Sequence, residues 1–455
     1  MKKYFSSYWI RSAFYAVLQR FSLTFFGFVN FLILIRWLSQ PQMAVWALFL
    51  TITTVFEITK SGLLKNAHVK YVSASDDVNQ RTAIASSSFI INASISVAFI
   101  VFLLLCSGWL GTVLHAGADL GIALRWFIPG LVFMVMFSHF EAVQQSHLDF
   151  KGVFAGYMVR QVSFFAAISL HYLLHLPVSF FWLSLYMSGS IFIGAIVLFI
   201  YSRKYLTLQF SPTRQSVKVI FSYGGYIFGS GVMSNIFANL DQIMTAGFIS
   251  NPASVACYSA ASRINGLVDI PSYAAADILF PKSARAAAED DSGKVKYLYE
   301  RMVGTLLTFT LPLALFIIAF AKPVIVLIAG ERYIPAALIL QLYMMMGLLR
   351  PVQNQAANLL NSIGKAALCF WINTISLACN LCINYFCLRT FGFYGAVIGT
   401  LITTTLGTIA WYLVMRKQIG LEMPSIIRHM MDLYKRLYSL GMNTVFKQKN
   451  VIMRN

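Results

Sequence analysis

Long apolar runs recur along the whole chain, separated by short connections in which the polar and basic residues gather. A helix needs about 20 apolar residues to cross a hydrocarbon core roughly 30 Å thick. Twelve runs meet that measure, at approximately 13–38, 43–64, 84–107, 121–142, 152–173, 178–201, 219–248, 253–280, 302–320, 336–362, 366–388 and 394–415. The seventh and eighth are the most polar. Inside lipid every backbone N–H and C=O must be satisfied within its own segment or a closed barrel, so runs of this length predict helices.

The pattern also repeats. LSQPQMAVWALF (38–49) and ISNPASVACYSA (249–260) each join two long spans, with Ser, an amide and Pro in register at an offset of 211 residues. Pro cannot continue a helix ladder, and Ser with an amide side chain can bond the freed backbone groups, so both read as tight hairpins. The expected architecture is an all-α integral membrane protein of about twelve transmembrane helices in two six-helix bundles around a central cavity, the repeat being parallel. The boundaries are 1–205 for the first bundle, 206–415 for the second and 416–455 for a basic amphipathic cytoplasmic tail.

Composition agrees: of 455 residues 58% are hydrophobic and 11% charged, against about 25% charged in an average soluble chain. The net charge of +19 would suggest a nucleic-acid partner in a soluble protein. Its distribution argues otherwise. With both termini in the cytoplasm, 25 of the 35 Lys and Arg fall in inner connections and tails and three (Lys322, Arg332, Arg389) in outer ones. That asymmetry is an orientation signal, and no nucleic-acid partner is expected. The N-terminus begins with bases but lacks a short apolar core with a cleavage site, so the first span is expected to stay.

Seven bases nevertheless lie within spans, Arg20, Arg36, Lys60, Arg125, Arg160, Arg263 and Arg350, with the acids Glu57, Asp241, Asp269 and Asp277. Charges in lipid-facing positions cost about 2.5–3.5 kcal/mol each on insertion scales, so these should face protein or water. Arg36, Arg125, Lys60 and Asp277 are near span ends, where snorkelling is the simpler reading. Asp241 and Arg263 stand equally far from Pro252, roughly 16 Å down neighbouring antiparallel helices, where they can pair. Arg350, Asn354, Asn358 and Asn361 fall within about 80° of one helical face. Two readings of that stripe stay open: amides joining helices, or the lining of a cavity. Arg20 and Arg36 lie about 160° apart around their helix, so at most one points inward, and Arg20 is favoured.

The candidate binding groups are therefore Arg20, Arg160, Arg263, Arg350, Asn354 and Asn358, with Asp241, Asp269 and Glu57 as ion-pair or coupling groups. More buried bases than acids suits an anionic substrate, and the planar guanidinium fork suits phosphate. No connection exceeds about 25 residues, which leaves no room for a catalytic domain or P-loop, so neither an enzyme nor a cofactor is expected. Cys379 and Cys382 have a CxxC spacing but lie inside a membrane span without a second pair or a histidine cluster, which does not make a metal site. The segment 423–440 has the pattern of a basic amphipathic helix on the inner leaflet.

LDQIMTAGFISNPASVACYSAASRI followed by LFPKSARAAAED, with RWLSQPQMAVWAL, KPVIVLIAGERYIPAA and FGFYGAVIGT, resembles the bacterial polysaccharide flippases. These are the O-antigen transporter-like branch of the multidrug/oligosaccharidyl-lipid/polysaccharide exporter superfamily. The resemblance covers nearly the whole chain and implies a multi-pass protein of the bacterial cytoplasmic membrane, moving a polyprenyl-pyrophosphate-linked oligosaccharide between leaflets for O-antigen or capsule synthesis. It also implies contact with membrane lipids, polymerase or glycosyltransferase partners in the same pathway, and, as in some members, drive by a proton or sodium gradient. Within the matching motif it points to Asp241 and Arg263. The first span lacks the acid by which one branch of multidrug exporters couples to cations, and the two extra helices of peptidoglycan-precursor flippases are not expected. A multidrug or small-cation exporter on the same fold is the main alternative.

Overall fold

The structure is a computed structural model that describes residues 2–74, 77–147, 149–206, 210–249, 251–289 and 291–452. Among these, every regular element is helical. In chain order they are α1 (Lys2–Trp37), α2 (Gln40–Ala74), α3 (Val78–Val113), α4 (Gly117–Trp126), α5 (Ile128–Ser146), α6 (Phe150–Leu173), α7 (Phe180–Ser202) and α8 (Arg214–Phe248). They continue as α9 (Pro252–Val268), α10 (Ile270–Ala288), α11 (Ser292–Ala319), α12 (Ala321–Ala329), α13 (Ala336–Ser362), α14 (Ala366–Phe391), α15 (Gly395–Ile419) and α16 (Met423–Ile452).

Each of the twelve expected spans falls on one of these helices or on a broken pair. The fourth is α4 and α5, which meet at Phe127 with a bend of 42°, and Pro129 opens α5 because a first-turn proline has no N–H to lose. The eighth is α9 and α10, broken at Asp269, again with a proline in the first turn after the break. Among the described residues, seven stretches are long and apolar enough to cross a membrane by composition alone, one of them being the α14–α15 hairpin, and the bent pair adds an eighth. The remaining spans carry the polar residues discussed below.

The two repeated turns form as their sequences require. Ser39 Oγ accepts from the Gln42 backbone while Gln42 Oε1 accepts from the Ser39 backbone at 3.0 Å, a reciprocal cap. In the second, Asn251 Oδ1 accepts from the Ala253 N–H at 3.0 Å. Elsewhere Asp77 caps α3 through the Asn79 N–H and Thr213 caps α8 through the Ser216 N–H. Gly420 ends α15 in the left-handed conformation (φ 65°), which a residue without Cβ adopts at no steric cost.

The chain divides into two compact units, Met1–Ser259 and Ala260–Asn455. In the first, α1 lies on α6, α7 is gripped by α5 and α6, and α2 packs against α3, α5 and α8. Helix α8 packs within this unit, which ends inside α9. The reason is local: α8 lies along α2 and α3, with a Thr51 hydroxyl donating to Gln242 Oε1 at 3.1 Å and a His115 Nδ1 contact to the Ala246 carbonyl at 2.9 Å.

In the second unit α13 is central, flanked by α10, α11 and α15. Val295, Tyr299 and Val303 of α11, Ala356 and Leu359 of α13, and Trp411 and Met415 of α15 fill one core cluster. Helices α14 and α15 approach so closely that a Cβ at Gly395 would strike the Cys387 carbonyl and one at Gly399 the Asn384 amide. That small-xxx-small spacing buries Asn380 and Asn384 against Thr400, whose Oγ1 accepts from them at 2.9 and 3.2 Å. Helix α16 is ordered onto the unit through its first half. Ile426 and His429 meet α11 at Gly304, and the Tyr434 hydroxyl donates to the Thr308 carbonyl at 2.8 Å. The amphipathic segment expected at 423–440 is thus part of a helix docked on α11.

Candidate functional site

Each unit contains its own cluster of charged side chains. In the first, α2, α5 and α6 bring six polar groups together: Glu57, Lys65, Glu141, Gln145, Tyr157 and Arg160. Buried Glu141, five residues from the end of α5 at Ser146, accepts from Lys65 Nζ at 2.6 Å, Gln145 Nε2 at 3.1 Å and the Tyr157 hydroxyl at 3.1 Å. Three donors to one carboxylate make a satisfied buried charge.

Arg160, one turn beyond Tyr157 on α6, is held differently. Its guanidinium is 11% exposed, and its nearest carboxylate oxygen, Glu57 Oε1, is 3.7 Å from Nη1, too far for a hydrogen bond. Its other neighbours are soft: the Phe137 ring, with its centroid at 5.2 Å, and the Met134 sulfur at 3.9 Å. A guanidinium has five N–H donors. Among the described residues none of Arg160's reaches a carboxylate within hydrogen-bond distance. Chemically this is a cation kept in place by packing and by a distant negative charge, with capacity left for an anion.

In the second unit α13 grips α10 by a ladder between parallel helices. Arg350 Nη1 meets Asp269 Oδ2 at 2.7 Å, Gln355 Nε2 donates to the Ser272 carbonyl at 2.8 Å, Asn358 Nδ2 donates to the Ala276 carbonyl at 2.8 Å, and Ser283 and Ser362 share a hydrogen bond of 2.7 Å. The upper rung sits at the α9–α10 break, where Asp269 is the residue before α10. Arg350 therefore fixes the break, and Asn358 fixes the helix below it. Asn354, between them, is half-buried.

The other candidates are placed as follows. Arg263 is exposed on α9 and forms no ion pair among the described residues. Asp241 is buried on α8. The two belong to different units. Arg20 and Arg36 are both exposed on α1, as is Arg125, whose Nε donates to Ser107 Oγ at 2.8 Å. The side chain of Asp277 lies outside the described residues.

Lys60 corrects the snorkelling expectation. It is 2% exposed, donates to Ser96 Oγ at 3.3 Å and lies 5.6 Å from the centre of the Phe56 ring. Helix α2 continues to Ala74, so Lys60 is not near its end. The same extension explains Lys65, which sequence places in an inner connection and which instead reaches Glu141. Glu141 itself is missed because it closes an apolar span. Its signal was present, an acid at the end of the fourth span followed directly by the amides of EAVQQ. Gln355 carried no signal beyond its amide.

Comparison with known proteins bears on these clusters. Part of the chain is similar to the probable low-salt glycan biosynthesis flippase Agl15 of Haloferax volcanii, 20% identical over 198 residues. That alignment spans 44% of this chain and 42% of the relative, less than half the length of either. Solved structures share the fold. The inward-facing conformation of a multidrug resistance MATE family transporter of the MOP superfamily matches with a TM-score of 0.77 and 16% identity, covering 88% of this chain and 94% of that one. The lipid II flippase MurJ in an inward closed conformation matches with a TM-score of 0.72 and 13% identity, covering 95% and 93%. Residues 33–338 match the family described as polysaccharide biosynthesis protein, about two thirds of the chain, and this multi-pass membrane protein belongs to that family.

Proposed function

We propose that the protein is a flippase that moves a lipid-linked oligosaccharide, carried on polyprenyl pyrophosphate, from the inner to the outer leaflet of the cytoplasmic membrane by alternating access. The observation that carries this reading is Arg160, a guanidinium inside a membrane bundle whose one ion-pair partner among the described residues, Glu57, stands at 3.7 Å. Such a group is costly unless it is used. A pyrophosphate offers the bidentate oxygens that Glu57 does not supply. Arg263, in the second unit, is exposed and without an ion pair among the described residues, and is a further candidate for contact with an anion. Family membership and the glycan flippase relative support the substrate class.

In this mechanism the headgroup enters from the cytoplasmic side, binds Arg160 and is released on the other face, while the lipid tail stays in the bilayer. Glu57 near Arg160, Asp269 on Arg350 and Asp241 hold the cations when no anion is bound, and their protonation, or sodium at the same carboxylates, is the means of coupling to an ion gradient. A ligand shifts such an equilibrium only through its differential affinity for the two states, and an anion that displaces a carboxylate from an arginine has that property. The glycan serves surface polysaccharide synthesis, O-antigen or capsule, with polymerase and glycosyltransferases as pathway partners. Both termini are cytoplasmic in this reading.

The test is the sidedness of the lipid-linked glycan in cells lacking the gene, read with a membrane-impermeant label. Accumulation on the inner face, cleared by the normal protein but not by Arg160→Ala or Arg263→Ala at equal abundance, is the expected result. Unchanged sidedness with altered drug or cation efflux would replace this reading with that of an exporter on the same fold.

A further inference from the structure

On the Lys- and Arg-rich side of the first unit, the ends of α2, α3, α5 and α7, with Lys204, Tyr205, Leu206 and Phe210, surround a cavity of about 610 Å³. No residue of the Glu57, Arg160 and Glu141 cluster lines it. Its walls are largely apolar, Phe89 among them, and its basic side chains are His68, His139, His147, Arg81 and Lys204. This volume is in the range of about 300–1,000 Å³ that holds small ligands, and a few convergent polar groups on apolar walls are the usual composition of such sites.

The second observation is independent of shape. His68 is 0% exposed, and among the described residues neither of its ring nitrogens has a hydrogen-bond partner. A neutral imidazole presents one donor and one acceptor, and folded proteins rarely leave buried polar atoms of this kind unmet. The ring is held in place, with His139 edge-on to it at 5.8 Å and Phe89 against His139 at 5.1 Å. His147 is fixed too, by an Nδ1 contact to the Val143 carbonyl at 2.9 Å and by stacking on Tyr205 at 4.3 Å. Lys204 shares its charge with Asp149 at 2.9 Å, and Asp149 is not part of the lining.

Imidazoles beside a guanidinium and an ammonium are donors for phosphate oxygens, and aromatic walls accept an apolar substituent. We infer that this cavity binds a phosphate-bearing amphiphile, with His68 hydrogen-bonded to its head. The phosphate has two sources, a lipid headgroup of the adjacent leaflet or a soluble aryl or alkyl phosphate from the aqueous side. The inference does not depend on the transport reading, because the site uses none of the groups assigned there.

The experiment uses the full chain in phosphatidylcholine nanodiscs, with and without phosphatidic acid, read by native mass spectrometry. Phenyl phosphate and inorganic phosphate are titrated in parallel, in phosphatidylcholine alone. Retention of one phosphatidate, at least tenfold weaker in His68→Phe and in Ala85→Leu, supports the site and names the membrane as the source. Binding of phenyl phosphate with the same sensitivity supports it and names a soluble ester. Ala85→Leu narrows the cavity without touching a polar group, so it decides the matter if His68→Phe does not fold. Retention equal in both variants, or no binding of either probe, overturns the inference. Inorganic phosphate binding as tightly as phenyl phosphate overturns the apolar part of it.

Discussion

Arg350 gives a guanidinium N–H to Asp269 across 2.7 Å at the point where α9 ends and α10 begins. The pair is partly shielded, with side chains 26% and 12% exposed. Its loss should cost more than an exposed pair, worth about 0–1 kcal/mol, and less than a fully buried one, about 3–5 kcal/mol when one partner is removed. Arg350→Ala and Asp269→Asn are each expected to lower stability by about 1–3 kcal/mol on those bounds. Thermal unfolding in detergent measures this, and the double variant should cost less than the sum of the two.

Arg160 should behave in the opposite way. Its contacts are a ring, a sulfur and a carboxylate beyond hydrogen-bond distance, so Arg160→Ala is expected to change the unfolding temperature little. Transport of the lipid-linked glycan is expected to fall by more than tenfold. Arg160→Lys, which keeps the charge but loses the planar fork, should recover only part of it. Equal transport by all three proteins would remove Arg160 from the substrate site.

Gly399 lies where α15 rests on Asn384. Gly399→Leu forces the hairpin apart, and overpacking of this kind costs about 1–3 kcal/mol. Reduced yield of folded protein and a lower unfolding temperature are the expected readouts. Gly407, whose surroundings are looser, is the control position, and Gly407→Ala should be nearly neutral.

The Asp149–Lys204 clasp predicts a mild acid sensitivity. Burial pushes the Asp149 carboxyl up, but the hydrogen bond and charge of Lys204 and the Tyr205 hydroxyl outweigh it, and the group is held below its usual range. The hydrogen bond from Asp149 likewise holds Lys204 above its own. A lowered carboxyl contributes fully above its ordinary value of about 3.9 and loses the contribution as pH falls further. A raised ammonium contributes fully below about 10.4 and loses it as pH rises beyond. Lys204 is well exposed, so the whole effect should stay under about 1 kcal/mol. Asp149→Asn should flatten the unfolding temperature between pH 5 and pH 3, in roughly that window.

The spans were legible because lipid leaves the backbone no alternative to helix, and length alone locates them. Their breaks were less so. Phe127 is an ordinary apolar residue, and only Pro129 hints at the bend. Lys60 and Lys65 were misread for one reason: apolar runs mark where lipid begins and ends, and α2 continues well past that point as a helix packed on protein. The turn residues Ser39, Gln42 and Asn251 act as their chemistry dictates, since capping is local. The ladder of Arg350, Gln355 and Asn358 was half visible as a polar stripe. Which face of α10 it meets depends on the register of two helices far apart in sequence, and periodicity within one helix carries no such information.

The α14–α15 hairpin constrains how the protein is made. Asn380 and Asn384 both sit in an apolar helix, and their shared partner Thr400 is not synthesised until 16 residues after Asn384. Within α14 alone the Asn384 amide reaches the Asn380 oxygen at 3.2 Å, which leaves the Asn380 N–H groups without Thr400. The connection at 392–394 is a single tight turn. The two helices must therefore leave the insertion machinery as a pair, already zipped along Gly395 and Gly399, so the glycines and asparagines set the order of assembly as well as its final packing.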